Sequence, residues 1–461
     1  MKMQEKNPLI TVYITNYNYG AYLKQAVDSV LNQTLQDFEL IIIDDGSTDN
    51  SRDIIEQYRE HPKIRVIFQQ NKGLNVTNNI ALRAARGAYI VRLDADDYFD
   101  PRALELLSKE LDANEELGLV FPDYYYVNED GVVTEEFKRH DFSADVSLLD
   151  QAAHGACTMI RTDYLRKLGG YNESFSCQDG YELWVKFIEH YKVANVGQPL
   201  FYYRRHSSNL TRNESRILST RARINEHYSA GRFGSLRSLC LVPVRDASLA
   251  LRPLGDKKVI DYRVHAAIPC SNIDKIVISS PDKEVGAYIR EQYAGHEKVQ
   301  FHERDEKDAR LNVSLASTVH AVLKAAYDPG TLPDAITVLT IEYPFTESYA
   351  IADAIHTLFL FDSDSLISVR QETGMMFQHQ GSGMQAILNQ DKVIKLEREA
   401  LYKLAGGITV VKTENFLRHD KLVMGKIGHI MMDQLSSFGI FTDFDLELAG
   451  WIVKNKQPVP A

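Results

Sequence analysis

The chain has 461 residues, a length that allows two to four domains, and its 44% hydrophobic and 25% charged residues are near the averages of folded proteins. This composition excludes a collagen, a low-complexity chain and wholesale disorder. A net charge of -11 has the wrong sign for a protein that mainly contacts the phosphate backbone of nucleic acid, so we expect no nucleic-acid partner.

The first half of the chain alternates short β-branched runs with amphipathic stretches. In chain order, strands are predicted over Leu9–Ile14, Phe38–Ile43, Ile64–Phe68 and Tyr89–Leu93. The helices between them are predicted over Gly20–Gln33, Ser51–Arg59 and Leu74–Ala85. Because strands that alternate with helices usually pair in parallel, the pattern predicts βαβ units around a mostly parallel sheet.

An arginine-rich stretch separates this half from a second alternation. Residues 204–237 contain eight arginines, and we place a linker at 211–236 between domains at 1–210 and 237–461. A solvated connecting helix explains the arginines, and a surface for an anionic acceptor or a membrane is the alternative. The later strands are predicted over Leu239–Pro243, Lys275–Ser279, Ile336–Thr340 and Leu366–Val369, and the helices over Val259–Ala267, Val285–Tyr293 and Ser348–Thr357. The sequence therefore predicts two α/β domains.

The apolar runs, the first residues and the cysteine spacing indicate the location and the redox state of the protein. No apolar run reaches the roughly 20 residues of a membrane-spanning helix, and residues 1–7 carry charges without an apolar signal core. We therefore expect a cytoplasmic protein without a membrane span. The four cysteines form no CxxC pair, which argues against a disulfide scaffold and a cysteine-bound metal and favours buried thiols.

Polar residues follow three predicted strands at the point where each strand ends. Thr15 and Tyr17 follow the first strand, Asp44 and Asp45 the second, and the run Asp94-Ala95-Asp96-Asp97 the fourth. The carboxyl ends of parallel strands lie along one edge of a sheet, where ligands bind. Hydroxyl, aromatic and carboxylate groups suit a nucleoside, and clustered carboxylates suit Mg²⁺ or Mn²⁺ bridging to a diphosphate.

Each of these features also has a plain structural explanation. The run from Asp45 to Asp49 alone is typical of a turn with a helix cap, and Asp94 to Asp96 alone is typical of an exposed acidic loop. Together, the three strand ends favour a nucleotide-diphosphate site.

Seven motifs occur in order along residues 1–210: Thr15-Asn16-Tyr17-Asn18, Ile43-Asp44-Asp45-Gly46-Ser47-Thr48-Asp49, Asn71-Lys72-Gly73, Ala85-Arg86-Gly87-Ala88-Tyr89-Ile90, Leu93-Asp94-Ala95-Asp96-Asp97, Gln178-Asp179 before Glu182-Leu183-Trp184, and Tyr203-Arg204-Arg205-His206. In these motifs the region resembles the inverting family-two glycosyltransferases of GT-A fold. The resemblance implies a nucleotide-sugar site made of Thr15, Tyr17, Asp44, Asp45, Asn71, Asp94 and Arg204. It also implies a Mn²⁺ or Mg²⁺ cofactor, with Asp96 and His206 as its ligands.

The resemblance further implies that Asp179 is the catalytic base. A sugar hydroxyl must lose its proton as it attacks the anomeric carbon, and a carboxylate within hydrogen-bond reach can accept it. The alternative is that Asp179 caps the helix that follows. Two departures concern this region: Asn78 stands where the family often carries Arg, and Gln178 replaces the usual Glu before the base.

The second half resembles the cytidylyltransferases that make CMP-activated acidic sugars, such as CMP-sialic acid synthetases, and so implies a Rossmann-like nucleotidyltransferase fold. The resemblance rests on Leu241-Val242-Pro243-Val244-Arg245, Pro253-Leu254-Gly255-Asp256-Lys257, Lys275-Ile276-Val277-Ile278-Ser279-Ser280, Asp362-Ser363-Asp364-Ser365 and Phe444-Asp445-Leu446-Glu447-Leu448-Ala449. The phosphate loop after Arg245 lacks glycines and has no lysine until Lys257, and Gly439 and Phe441 occupy positions where the family carries metal-binding Asp. We therefore expect an inactive module that binds a partner, recognises the acceptor or forms a homo-oligomer.

The sequence as a whole predicts an inverting, metal-dependent hexosyl- or N-acetylhexosaminyltransferase of bacterial glycan biosynthesis. The favoured donor is a UDP-sugar, and the acceptor is a glycan, a lipid-linked molecule or a protein. Two alternatives remain open: a bifunctional enzyme whose second half is an active CMP-sugar synthetase, and a scaffold in which both halves only bind.

Overall fold

The computed structural model describes residues 7–138, 152, 154–206, 213–245, 247–310, 312–372, 374, 376–379, 381, 383–387 and 401–455. The chain divides into two compact units. One consists of Met1–Asn213 with Gly374–Ala400, and the other of Glu214–Thr373 with Leu401–Ala461. All four cysteines are free thiols, and Cys157, Cys240 and Cys270 are buried. None of the helices in the described ranges combines the length and the apolar character that a bilayer crossing needs.

The first unit is built on one large sheet. Its strands are β1 (Ile10–Asn16), β2 (Phe38–Asp44), β3 (Ile64–Phe68), β4 (Tyr89–Asp94), β5 (Tyr98–Phe99), β6 (Leu117–Val127), β7 (Val133–Phe137), β8 (Met159–Arg161) and β9 (Lys192–Arg204). Its helices are α1 (Gly20–Leu31), α2 (Ser51–Glu56), α3 (Leu74–Ala84), α4 (Ala103–Ala113), α5 (Thr162–Lys167) and α6 (Asp179–Ile188). All seven elements predicted up to residue 94 are present, and the largest difference is that α2 ends at Glu56 instead of Arg59.

The sheet order is β3-β2-β1-β4-β8-β6-β9-β5, with β7 paired to β6. β1 lies between β2 and β4 and is parallel to both, whereas β8 joins β4 antiparallel. All seven residues of β2 are buried, as expected of a strand that is covered on both faces. Alternate residues of β1 enter two separate cores: Val12 and Ile14 pack on one face, and Tyr13 on the other. This arrangement is the expected α/β sheet, with an antiparallel extension that the sequence did not indicate.

The second unit begins with a long helix and also contains one large sheet. Its helices are α7 (Glu214–Phe233), α8 (Ala247–Ala250), α9 (Val259–Ala267), α10 (Lys283–Gln292), α11 (Ala316–Ala326), α12 (Ser348–Leu360), α13 (Thr413–His419) and α14 (Asp443–Asn455). Its strands are β10 (Ser238–Pro243), β11 (Pro253–Leu254), β12 (Lys257–Lys258), β13 (Ile273–Ser280), β14 (Val299–Glu303), β15 (Ala335–Leu339), β16 (Ser365–Glu372), β19 (Leu401–Lys412) and β20 (Ile427–Met431). Between β16 and β19 in the chain, β17 (Phe377–His379) and β18 (Met384–Ala386) form a separate antiparallel pair.

The large sheet of the second unit is mixed. Its order is β14-β13-β10-β15-β19-β16-β20, in which β14, β13, β10 and β15 are parallel and β19 is antiparallel to β15 and β16. Residues of the central strand β10 enter two cores, with Leu241 on one face and Val242 on the other. The unit is therefore an α/β unit, while its likeness to a cytidylyltransferase stays a prediction.

The arginine-rich segment differs from the expected linker at 211–236. Residues 214–233 form α7, which belongs to the second unit, and residues 211 and 212 lie outside the described ranges. The side chain of Asn225 in α7 donates to Asp353 Oδ1 at 2.8 Å and to Thr357 Oγ1 at 3.0 Å in α12. Leu218 and Ile224 are also buried. Four of the eight arginines, at positions 216, 221, 223 and 232, therefore lie in a helix that has a buried face.

A close approach of two backbone segments gives a test of the first sheet. A Cβ atom added to Gly87 would lie 2.4 Å from the Thr11 nitrogen and 2.6 Å from the Ile10 carbonyl carbon. Because these are backbone atoms of β1, we expect Gly87→Ala to lower the free energy of unfolding by about 2 kcal/mol. Thermal denaturation followed by circular dichroism measures the change.

The matched control is Gly231→Ala in α7, where an added Cβ meets no atom within 4 Å. Replacing a helix glycine by alanine is expected to stabilise the protein by roughly 0.5–1 kcal/mol. An unfolding midpoint for Gly87→Ala that is no lower than that of the control would contradict the close approach.

Candidate functional site

The predicted strand ends meet at one edge of the first sheet. In the β1–β2 pairing Asn16 lies opposite Asp44, and in the β1–β4 pairing Thr15 lies opposite Asp94. Asn16 Nδ2 donates to Asp44 Oδ1 at 2.8 Å, and Thr15 Oγ1 donates to Asp94 Oδ1 at 3.1 Å. β1 therefore connects the two carboxylates through side chains at its own end.

The turn after β2 is fixed by its own polar groups. Gly46 has a φ of 82°, and the Ser47 nitrogen donates to Asp44 Oδ2 at 3.2 Å. Asp44 is consequently buried, with both of its oxygens engaged. The Tyr17 side chain, by contrast, is 46% exposed and offers an open aromatic face at this edge.

Asp45 and Asn71 have different surroundings from Asp44. Asp45 accepts hydrogen bonds from the backbone nitrogens of Lys72 at 2.8 Å and Gly73 at 2.9 Å, and from Gln69 Nε2 at 2.7 Å. The Asp45 carboxylate therefore anchors the loop that leads into α3, and its contact with a nucleoside stays a prediction. Asn71 lies exposed in the same loop.

Three carboxylates, those of Asp94, Asp96 and Asp97, crowd together at the end of β4 and directly after it. Burial, and then the negative charges of Asp96 and Asp179, raise the pKa of Asp94 to about 6, although Arg92 acts in the opposite direction. Burial, Asp96 and Asp94 also raise the pKa of Asp97 well above its usual range. Asp97 Oδ1 accepts from the backbone nitrogen of Arg204 at 2.8 Å, whereas Asp97 Oδ2 is buried without a hydrogen-bond partner. Such a cluster of buried oxygens is stabilised by a nearby cation or by protonation.

Asp96 is paired with His206. His206 Nε2 lies 2.9 Å from Asp96 Oδ2, and both side chains are buried. The imidazole ring is held between the Tyr19 and Tyr22 rings, with centroid distances of 5.5 and 5.6 Å. The structure thus brings together the two residues predicted as metal ligands.

The donor set at this pair fits a divalent cation. Two adjacent ligands about 2.1 Å from an octahedral ion stand about 3.0 Å apart, close to the 2.9 Å between His206 and Asp96. Within the described part of the chain, no group of three or more His, Cys, Asp or Glu side chains is arranged to hold a metal ion. A cation at Asp96 and His206 would therefore need further oxygen ligands from a bound molecule and from water.

Arg204 was predicted to contact the donor, but the structure gives its guanidinium other partners. Nε donates to the Asp96 carbonyl at 2.9 Å, and Nη1 donates to the carbonyls of Asn128 at 3.1 Å and Glu129 at 2.7 Å. Nη2 donates to Gln25 Oε1 at 2.7 Å. The side chain is almost fully buried. These contacts make Arg204 an internal clamp that joins distant segments at the site.

Asp179 is the first residue of α6. It forms an ion pair with Arg92 Nη1, and Asn78 Nδ2 lies 3.5 Å from Asp179 Oδ2. Gln178, with a φ of 64°, turns the chain into the helix. The structure therefore does not show Asp179 as a cap of α6. Arg92 links Asp179 to the Asp94 carboxylate at the end of β4, because its guanidinium forms ion pairs with both.

Sequence reasoning missed Arg92 and Tyr13. The signal for Arg92 is visible, because it is a charged residue inside the apolar strand Tyr89–Asp94. Tyr13 gives no comparable signal, since its hydroxyl meets Tyr171 at 3.2 Å and Asn78 at 3.2 Å only in the folded chain.

Comparison with known proteins places the similarity in this unit. The family model described as Glycosyl transferase family 2 matches residues 11–169. Chondroitin synthase of Pasteurella multocida is 35% identical over 185 residues, which are 40% of this chain and 19% of that protein. The uncharacterized glycosyltransferase MJ1057 of Methanocaldococcus jannaschii is 31% identical over 207 residues, which are 43% of this chain and 71% of that protein.

The chain spans about a fifth of the length of the chondroitin synthase that it matches, 19%. Among solved structures, residues 1–349 of S. aureus TarS align with a TM-score of 0.40 at 19% identity, covering 47% of this chain and 64% of that one. The residues that match the family model, 11–169, include the ends of β1, β2 and β4.

Proposed function

We propose a specific reaction from the premise that this chain belongs to glycosyl transferase family 2 and is a glycosyltransferase. In this reaction the first unit moves a hexosyl or N-acetylhexosaminyl group from a UDP-sugar to an acceptor hydroxyl, with inversion. The observation that carries the proposal is the convergence of Asp44, Asp94 and Asp96 at one sheet edge, with Asp179 joined to them by Arg92. The name of the relative chondroitin synthase supports a glycan as acceptor, with a lipid-linked molecule or a protein as alternatives.

The nucleoside of the donor is proposed to lie against the ends of β1 and β2. Tyr17 presents an exposed ring for stacking on the base, and Thr15 holds Asp94 in place on the ribose side. Asp44 and Asn71 complete this part of the site, while Asp45 supports it through the loop before α3.

The diphosphate of the donor is proposed to lie beside Asp96 and His206, with Mn²⁺ or Mg²⁺ as cofactor. When bound, the cation supplies charge neutralisation for the leaving nucleoside diphosphate. Asp96 and His206 would hold it, and Arg204 supports this part of the site, because its Nε donates to the Asp96 carbonyl and its backbone nitrogen donates to Asp97 Oδ1.

Asp179 is proposed to accept the proton of the acceptor hydroxyl. The acceptor oxygen forms a bond to the anomeric carbon as the bond from that carbon to the diphosphate oxygen breaks, and the proton passes to Asp179. Oδ2 of Asp179 is engaged by Arg92 and Asn78, so Oδ1 is the atom proposed to receive the proton. Displacement from the opposite face inverts the anomeric centre.

A donor screen tests the proposal. Nucleotide sugars are incubated with the full chain and Mn²⁺, with water as default acceptor, and released nucleotide is measured by mass spectrometry. We expect consumption of a UDP-sugar. If no nucleotide sugar is consumed while CTP is turned over with release of pyrophosphate, the reaction belongs to the second unit. We otherwise propose that the second unit binds the acceptor or a second copy of the chain.

A further inference from the structure

Arg92 occupies an unusual place in the first sheet. It lies inside β4, its side chain is 4% exposed, and its neighbours in that strand are apolar up to Asp94. In the β1–β4 register it lies opposite Tyr13, two positions before the pair of Thr15 and Asp94. Because alternate residues of a strand share a face, Arg92 and Asp94 project to the same side of the sheet.

Two carboxylates from different elements share this guanidinium. Arg92 Nε lies 2.9 Å from Asp94 Oδ1, although its N–H is not aligned with that oxygen for a hydrogen bond. Nη2 lies 3.4 Å from Asp94 Oδ2, and Nη1 forms the ion pair with Asp179. Burial of an unpaired guanidinium is strongly unfavourable, so the two carboxylates and Arg92 depend on one another.

The space around the pair is closely filled. A Cβ atom added to Gly155 would lie 2.7 Å from both Arg92 Nη2 and Asp179 Oδ2. Asn78 approaches the same Asp179 oxygen from α3. No described residue donates a hydrogen bond to Asp179 Oδ1. Oδ2 is thus held in place while Oδ1 is left available.

We propose that Arg92 is a positioning residue for sugar transfer: it fixes the Asp179 carboxylate relative to Asp94, so that Oδ1 of Asp179 meets the acceptor hydroxyl. This inference rests on the proposed function, in which Asp94 lies on the donor side and Asp179 on the acceptor side. A planar guanidinium can contact two carboxylates at once, whereas a lysine ammonium offers a single charge centre. Arg92 therefore contacts both the carboxylate on the donor side, Asp94, and the carboxylate on the acceptor side, Asp179.

The test is a double-mutant cycle with Arg92→Gln and Asp179→Asn, using the UDP-sugar found in the donor screen. We expect Arg92→Gln to lower kcat by roughly tenfold or more and to leave the KM for the donor within about twofold. Arg92→Lys is expected to recover part of kcat. In the Asp179→Asn background, Arg92→Gln should cause no further loss, because the residue through which it acts is already disabled.

The outcomes separate this inference from the proposed function. If the wild-type chain consumes no nucleotide sugar, or if Asp179→Asn transfers normally, the proposed function or its base is wrong, and the role of Arg92 is lost with it. If Asp179→Asn is impaired but the losses from the two substitutions multiply, Arg92 acts independently of Asp179 and only the positioning role is overturned. Circular dichroism verifies folding, and if Arg92→Gln does not fold, the same cycle is measured with Arg92→Lys.

Discussion

Asp179→Asn is expected to keep donor binding and to lose transfer by roughly a hundredfold or more. The amide resembles the carboxylate in shape but cannot take up the proton of the acceptor hydroxyl. The substitution also exchanges a charged partner of Arg92 for a neutral one, while Asp94 remains to pair with the guanidinium. Initial rates of nucleotide release, together with calorimetric titration of UDP and Mn²⁺, measure the two effects separately.

Asp163→Asn is the matched control for this experiment. Asp163 also lies in the first turn of a helix, α5, but its side chain is 80% exposed and forms an ion pair with Arg166 at 3.2 Å. The control should retain wild-type rates. Near-normal transfer by Asp179→Asn would remove Asp179 from the role of base, and loss of UDP binding would show that the residue supports the donor instead.

Asp96→Ala is expected to weaken binding of UDP in the presence of Mn²⁺ on the order of a hundredfold. The substitution removes one of the two side chains proposed to hold the cation, together with the 2.9 Å contact between Asp96 and the buried His206. Calorimetric titration of UDP is carried out with Mn²⁺ and again with excess EDTA.

Asp130→Asn provides the comparison for Asp96→Ala, because Asp130 is an exposed acid in the turn between β6 and β7. It should bind UDP and Mn²⁺ as the wild type does. UDP binding that is insensitive both to EDTA and to Asp96→Ala would contradict a cation at this place. In that case the nucleoside diphosphate that departs in the reaction would be stabilised by hydrogen bonds and not by a cation.

The strand ends could be predicted from the sequence because their geometry follows from local rules. β-Branched runs predict strands, and their alternation with helices predicts parallel pairing. Residues at the carboxyl ends of parallel strands share one edge of the sheet, as Thr15, Asp44 and Asp94 do. The pairing of Asp96 with His206 spans 110 residues, and only the resemblance to a family suggested it.

Other roles could not be predicted because they depend on which neighbours satisfy a polar group. The sequence shows Asp44 and Asp45 as adjacent carboxylates, yet Asp45 accepts three hydrogen bonds from residues 69–73 and anchors that loop. The same limit applies to α7, whose arginines suggest a solvated helix although Asn225 and Ile224 are buried. The type of a residue indicates which partners its side chain can bind, but its actual partners depend on which groups the fold brings next to it.

The clamp formed by Arg204 has a consequence for the entropy of binding. Its guanidinium ties Gln25 in α1 to the backbone at Asp96 and to Asn128 and Glu129 after β6, and it lies two residues before His206. The conformational entropy of the His206 segment is therefore lost when the unit folds, and binding of a ligand does not require a further loss there. Pre-organisation of this kind lets a small set of contacts bind a charged molecule more tightly than mobile side chains would.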